Sequence, residues 1–190
     1  GALERELATI PQIESITQAD FEPRHKSDIY TMITDVEWPG KSSFETPAFN
    51  VIYTDSRFVE TFKLKMVTGE WWHQGETQEI VLNEEAVREM GLSEPEGSII
   101  RIPSFDDTSV MVEYKVVGVV NDFHTLSLRN RIQPVIFLQS SQASNILYLR
   151  VVPGQDQEVM RRIAAILPGI DATLVDARLT PVDELYNHLN

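Results

Sequence analysis

The chain has 190 residues, 42% hydrophobic and 24% charged, with a formal net charge of -13 and no cysteine. That balance suits an ordinary globular protein of one domain, or of two small intertwined ones, with enough apolar residues for a substantial core. The charge argues against nucleic acid and anionic lipid, since no basic stripe offsets the repulsion, and the lack of cysteine excludes disulfides, thiolate metal sites and a Cys nucleophile.

The opening "GALERELATI" reads as a helix entered partway along, with Leu3, Leu7 and Ile10 on one face and Pro11 ending it. Ile13–Gln18 is a short strand. "SDIYTMITDVEWPGKSSF" reads as a strand, a Pro39-Gly40 turn and a return strand. Ala48–Asp55 is β-rich, and Asp55 can cap a short helix carrying Phe58, Val59 and Phe62 on one face. "TGEWWHQGETQ" is turn-rich, which marks a change of texture near Thr68.

Glu79–Asn83 is a strand, and Asn83 is a good N-cap for the helix that follows. Glu84 and Glu85 then occupy the first turn, where the helix dipole favours negative charge. Ala86, Val87 and Met90 form the inward face, and Gly91 is the stop signal. "SIIRI" and "VMVEYKVVGVV" are strands joined by a turn at "FDDTS", and "PVIFLQ" and "NILYLRVV" are two more. Gln155–Leu167 is an amphipathic helix with Val159, Ile163, Ile166 and Leu167 inward. "ATLVDA" is a strand, completing a βαβ unit. Thr180-Pro181-Val182-Asp183 then starts a last helix carrying Leu185 and Leu189. No apolar stretch approaches the roughly 20 residues that span a bilayer. Helices and strands are mixed throughout, so the fold class is α+β. Both ends fall inside helical patterns, as expected of a fragment of a longer chain.

The chemistry-bearing residues concentrate in "VVGVVNDFHTLSLRNRIQPVIF", between two β-branched runs. Asp122, His124 and Ser127 invite a Ser-His-Asp reading. A triad needs its members held by separate rigid elements, and three residues within six positions of one loop do not meet that need. As a metal site, Asp-x-His supplies two ligands with no second cluster at metal spacing. The simpler reading makes Asn121 and Asp122 a turn, Phe123 a core plug and Pro134 the edge of the next strand. Trp71-Trp72 is a sugar-stacking platform, a partner hot spot or, for at least one of the two, core. His25, His73 and His188 are scattered, and no Gly-rich phosphate loop is present.

"IVLNEEAVREMGLSEPEGSIIRI" followed by "YKVVGVVNDFHTLSLRNRIQPVIF" resembles the extracytoplasmic domain of MacB/FtsX-like ABC transporter permeases, most of all the large permeases of Bacteroidetes. Asn83, Glu84, Gly91, Pro95 and Gly97 match the family's first motif. Val116, Gly118, Val119, Asp122, Phe123, His124, Ser127, Leu128 and Pro134 match its second. Gly69 fits an upstream segment, where Glu70 stands in place of the usual Arg and Trp72 in place of the usual Phe.

The resemblance implies a porter-like α/β layer built from residues 1–63 and 121–190, with a small mixed β-rich subdomain inserted at 64–120. It implies structural roles for Asn83, Glu84, Gly91, Gly97, Gly118, Asp122, Phe123, His124, Ser127 and Pro134, and no catalytic residue, cofactor or metal. It places the domain on the periplasmic side of the inner membrane, between two transmembrane helices. The implied partners are a cytoplasmic ABC ATPase, a periplasmic adaptor or envelope protein, and a second permease copy. The expected task is to pass ATP-driven helix motion outward in export, lipoprotein handling or another cell-envelope process. Leu3–Thr9 and Pro181–Leu189 should then run antiparallel on one face, with Leu7 near Leu185. Two other readings compete: a secreted hydrolase using Asp122, His124 and Ser127, and a ligand-binding module with Trp71 and Trp72 lining its pocket.

Overall fold

The computed structural model describes residues 1–21, 31–73, 75, 78–123, 131–139 and 146–170. In chain order the elements are α1 (Ala2–Leu7), β1 (Ile13–Gln18), β2 (Thr31–Ile33), β3 (Phe49–Thr54), α2 (Phe58–Thr61), β4 (Met66–Gly69), β5 (Glu79–Asn83), α3 (Glu84–Met90), β6 (Ile99–Pro103), β7 (Met111–Val120), β8 (Val135–Gln139), β9 (Leu147–Val151) and α4 (Asp156–Ile170). Mixed helices and strands make the fold α+β, as the alternation of patterns predicts.

The strands fall into two sheets. One is the antiparallel pair β1–β9. The other runs β2-β3-β8-β5-β7-β4, with β6 also paired to β7. It is mixed: β3–β8 and β5–β7 are parallel, and the other pairs are antiparallel. Successive residues of β5 and β8 point to opposite faces, and both faces are covered. Ile80, Leu82, Ile136 and Leu138 join a core closed by Ala86 and Met90 of α3, with Val36 and Trp38. Val81, Val135 and Phe137 join a second core with Phe58 of α2, Phe21, Trp72 and Tyr148. Burial on both sides is why β5 and β8 read as unbroken apolar runs rather than alternating ones. A third core joins Leu7, Ile10 and Ile16 to Val159 and Ile163, so α1 and α4 both pack with the β1–β9 pair.

Three local readings change. The return strand after Pro39-Gly40 is not formed there; Gly40 does turn, with φ +82°. The strand that pairs with β2 is β3, and the intervening chain instead crosses to β6, where Glu37 and Arg101 exchange backbone hydrogen bonds of 2.9 and 2.8 Å. Thr68, read as part of a turn-rich stretch, lies in strand β4, held by antiparallel pairing with β7. Helix α4 runs on to Ile170 through Pro168, three residues beyond the expected end.

The sheet crosses both expected subdomain boundaries. β5 pairs with β8, and Lys65 exchanges backbone and side-chain hydrogen bonds with Asn121, so 64–120 is continuous in backbone pairing with its surroundings. Pairing separates instead the β1–β9 layer, with α1 and α4, from the larger sheet. The expected strand "ATLVDA", the last helix with Leu185 and Leu189, His25 and His188 lie outside the described residues, so the helix pairing expected of Leu3–Thr9 is not visible here.

Candidate functional site

The two motifs meet at the N-terminus of α3. Asn83 ends β5 in extended backbone and caps the helix, its Oδ1 accepting from the Ala86 N–H at 2.9 Å. The same oxygen accepts from the Val135 N–H at 2.9 Å, while Nδ2 donates to the Gln133 carbonyl at 2.8 Å. Asn83 is fully buried. One side chain therefore starts the helix and fixes the entry to β8 just after Pro134, whose carbonyl accepts from Asn50 N–H at 2.9 Å. Gly91 closes α3 with φ +64°, the left-handed conformation expected of a helix C-terminus. Gly97 turns the chain into β6 with φ +81°.

Asp122 leaves β7 and clamps the same helix end. Its Oδ1 accepts from the Glu85 N–H at 2.8 Å, its Oδ2 pairs with Arg88, and its own N–H donates to Glu84 Oε1 at 3.2 Å. Arg88 also pairs with Glu85 at 2.7 Å, and Arg131 reaches Glu85 at 3.0 Å. The hydrogen bond from Arg88 holds the Glu85 carboxyl below the ordinary glutamate range, opposed by desolvation and assisted by Arg131. Asp122 and then Glu85 raise Arg88 in turn. Both carboxylate oxygens of Asp122 are thus spent on the helix terminus and an arginine. Such a carboxylate positions chain segments.

Gly118 answers to space. β7 carries an extra residue at Val117, because Ile80 pairs with Val116 and Val81 with Gly118. Opposite, Gly69 pairs with Gly118. A Cβ on Gly118 would lie 2.3 Å from the Glu70 carbonyl oxygen, and one on Gly69 would lie 2.1 Å from that of Val117. The two glycines let β4 and β7 approach where the bulge turns the strand.

Phe123, expected to be a buried plug, is only partly buried, with its ring centroid 5.9 Å from Phe137 and 6.3 Å from Phe58. Trp72 is 3% exposed and Trp71 stacks on Phe58 at 6.1 Å, so both tryptophans build the aromatic core rather than a platform. His73 is exposed beside Glu70 and Glu79. Among the described residues no three His, Cys, Asp or Glu side chains gather as a metal cluster, and no helix is long and apolar enough to cross a membrane. His124 and Ser127 lie outside the described residues.

Sequence reasoning missed the ion-pair partners Glu85, Arg88 and Arg131. The Glu85–Arg88 spacing on one helix is a readable signal, but Asp122 is 34 positions from Arg88 and nothing local announces the pair. It also missed the reach of Asp55. Asp55 does not cap α2, whose N-cap is Arg57; its carboxylate accepts from the Arg57 N–H at 2.9 Å in the turn before the helix, and also from Thr17 Oγ1 at 2.6 Å and the Gln18 N–H at 3.0 Å on β1.

Residues 4–166 match the family model of the MacB-like periplasmic core domain. No curated protein matches the sequence. Among solved structures, a domain of a putative permease protein from Porphyromonas gingivalis superposes with a TM-score of 0.64 at 15% identity, over 94% of this chain and 83% of that one. The periplasmic region of MacB from Actinobacillus actinomycetemcomitans gives 0.57 at 14% identity, over 88% and 72%. The extracellular domain of the noncanonic ABC-type transporter YknZ from Gram-positive bacteria gives 0.56 at 10% identity, over 88% and 81%. These three share the fold, and the family match spans most of the sequence. The chain belongs to the MacB-like periplasmic core domain family, the periplasmic domains of MacB-like ABC transporter permeases.

Proposed function

We propose that this domain carries no chemistry of its own and passes motion between the membrane helices of its permease and the periplasm. In this reading a cytoplasmic ABC ATPase supplies the drive, a second permease copy completes the assembly, and a periplasmic adaptor or envelope protein receives the output. Export of a substrate and lipoprotein or cell-envelope work are both served by such a device.

One observation carries the reading. Elements far apart in the chain, α1 and β1 early and β9 and α4 late, form one layer around a shared core. A body built this way feels displacement of either flank at once. We take that layer, 1–19 with 146–170, as the porter-like, membrane-facing body, and 31–139 as the outward one. The joint lies between β1 and β3. The motif residues Asn83, Glu84, Asp122 and Pro134 keep the outward body stiff, since they bind α3, β5, β7 and β8 to one another. Stiffness is what a transmitting element needs, because a soft one absorbs displacement.

Hydrogen exchange of this domain within the full-length permease tests the reading, with nucleotide-free and ATP-trapped states compared. Exchange should change in α1, β1, β9 and α4. Identical exchange across the whole domain in both states would overturn it.

A further inference from the structure

We propose that Asp55 is the positioning residue that sets the angle between the two bodies. This inference rests on the motion-transmitting reading above and names the group that makes the joint stiff.

Two kinds of contact join the bodies. The first is aromatic. Phe62 of the chain just after α2 lies 5.2 Å from Tyr148 of β9, and Phe21, which follows the first body, stacks on Tyr148 at 4.9 Å and lies 5.8 Å from Phe62. Aromatic packing has broad orientational preferences, so it constrains the angle between the bodies less sharply than hydrogen bonds do. The second is polar and directional: Arg150 Nε of β9 donates to the Thr61 carbonyl of α2, Asp20 Oδ1 accepts from the Tyr53 N–H at 2.7 Å, and a further set lies where β1 meets β3. β1 and β3 touch through the single bridge Ala19–Thr54. There Thr54 Oγ1 donates to the Gln18 carbonyl at 2.6 Å, and the Asp55 carboxylate takes Thr17 Oγ1 on one oxygen and the Gln18 N–H on the other. Thr17 and Thr54 are both fully buried.

Hydrogen bonds weaken steeply once bent. Two acceptances on the two oxygens of one carboxylate therefore resist rotation about the bridge, which a lone β-bridge does not. The Arg57 N–H, bonded to the same carboxylate, fixes Asp55 to the turn entering α2. The Trp71 indole N–H, which reaches the Asp55 carbonyl at 3.3 Å, fixes the backbone as well. On the other side, the Gln18 side chain donates to Glu4 of α1. The path thus runs from α1 through Gln18 and Asp55 to β3 without a gap.

The experiment uses the 190-residue chain with spin labels at Ala164 on α4 and Glu89 on α3, both exposed. Pulsed dipolar measurement should give one narrow distance distribution in the parent. Asp55→Ala should broaden and shift it, while near-ultraviolet circular dichroism from Trp71 and Trp72 stays that of the parent. Thr17→Val, nearly isosteric and removing one bond of the set, should broaden it less and in the same sense. If both variants keep the parent's distribution up to the onset of unfolding, Asp55 does not set the angle and the proposal falls. Broadening in the isolated chain, with no ATP-dependent exchange difference in the full permease, would sustain the role of Asp55 and remove the transmission reading. An ATP-dependent difference with no broadening would do the reverse.

Discussion

Replacing Asn83 by alanine is the sharpest probe of the motif junction. The side chain is fully buried and makes three hydrogen bonds, to Ala86 N–H, Val135 N–H and the Gln133 carbonyl. Loss of an N-cap asparagine costs about 1 kcal/mol. The Val135 N–H, in a residue only 4% exposed, would lose its acceptor in a site with little access to water. That adds about 1–3 kcal/mol. Gln133 is exposed, so water can satisfy its carbonyl and nothing is added for it. The expected loss is about 2–4 kcal/mol. Equilibrium urea unfolding followed by tryptophan fluorescence should show a midpoint lower by about 1–2 M, for a slope near 2 kcal/mol/M. Asn83→Ser divides the sum, since a serine hydroxyl can cap Ala86 but falls short of Val135; it should recover only the cap share. An alanine variant within about 0.5 kcal/mol of the parent, the range of an ordinary surface change, would mean that the junction does not hold α3 and β8 together.

Gly118→Ala should destabilise by about 1–3 kcal/mol or more, because its Cβ meets the Glu70 carbonyl at 2.3 Å and backbone does not yield cheaply. Gly91→Ala, with open space around it, should cost only the left-handed backbone, about 1 kcal/mol; urea midpoints in the reverse order would refute the close-approach argument. Phe123→Ala should cost about 2 kcal/mol, below the 3–5 typical of a fully buried ring, and no change in midpoint would show that its contacts with Phe58 and Phe137 contribute nothing. Glu158, bonded by Arg161 and Arg162 in the first turns of α4, has its carboxyl held down to about 2. A depressed carboxylate stabilises the fold above its ordinary value of 4.5, and that stabilisation is lost as pH falls toward 2. Carboxyl carbon resonances should place its midpoint near 2, and titration at the ordinary value would show that the pairs are not formed in solution.

What was readable in the sequence was local. Helix α3 is framed by an asparagine cap and a glycine stop, both acting within a turn of the helix, so its limits could be read directly. β5 and β8 announce themselves as short apolar runs between turn residues. β4 does not, because Met66–Gly69 becomes a strand only by pairing with β7, and strand preference depends on such neighbours more than on the residues themselves. Gly118 and its partner Gly69 were legible only through family resemblance; their close approach appears only once β4 pairs with β7. Asp122 was legible as the turn leaving β7, but its partners Glu85 and Arg88 belong to another element. Asp55 reads as a helix cap and not as a bridge between bodies, since Thr17 and Gln18 lie 38 and 37 positions away.

The β1–β9 pair also sets an order of events during synthesis. Ile13 finds its partner in Val151, so β1 leaves the ribosome and waits for β9 on the order of ten seconds at ordinary elongation rates. The larger sheet needs only residues 31–139, one contiguous stretch, and can assemble within that wait. For its duration β1 is an unpaired strand, able to pair with the same strand of a neighbouring chain. A chain stopped before β9 would therefore carry a finished outer body and an open edge. The early strand then depends for its protection on a strand that appears late in synthesis.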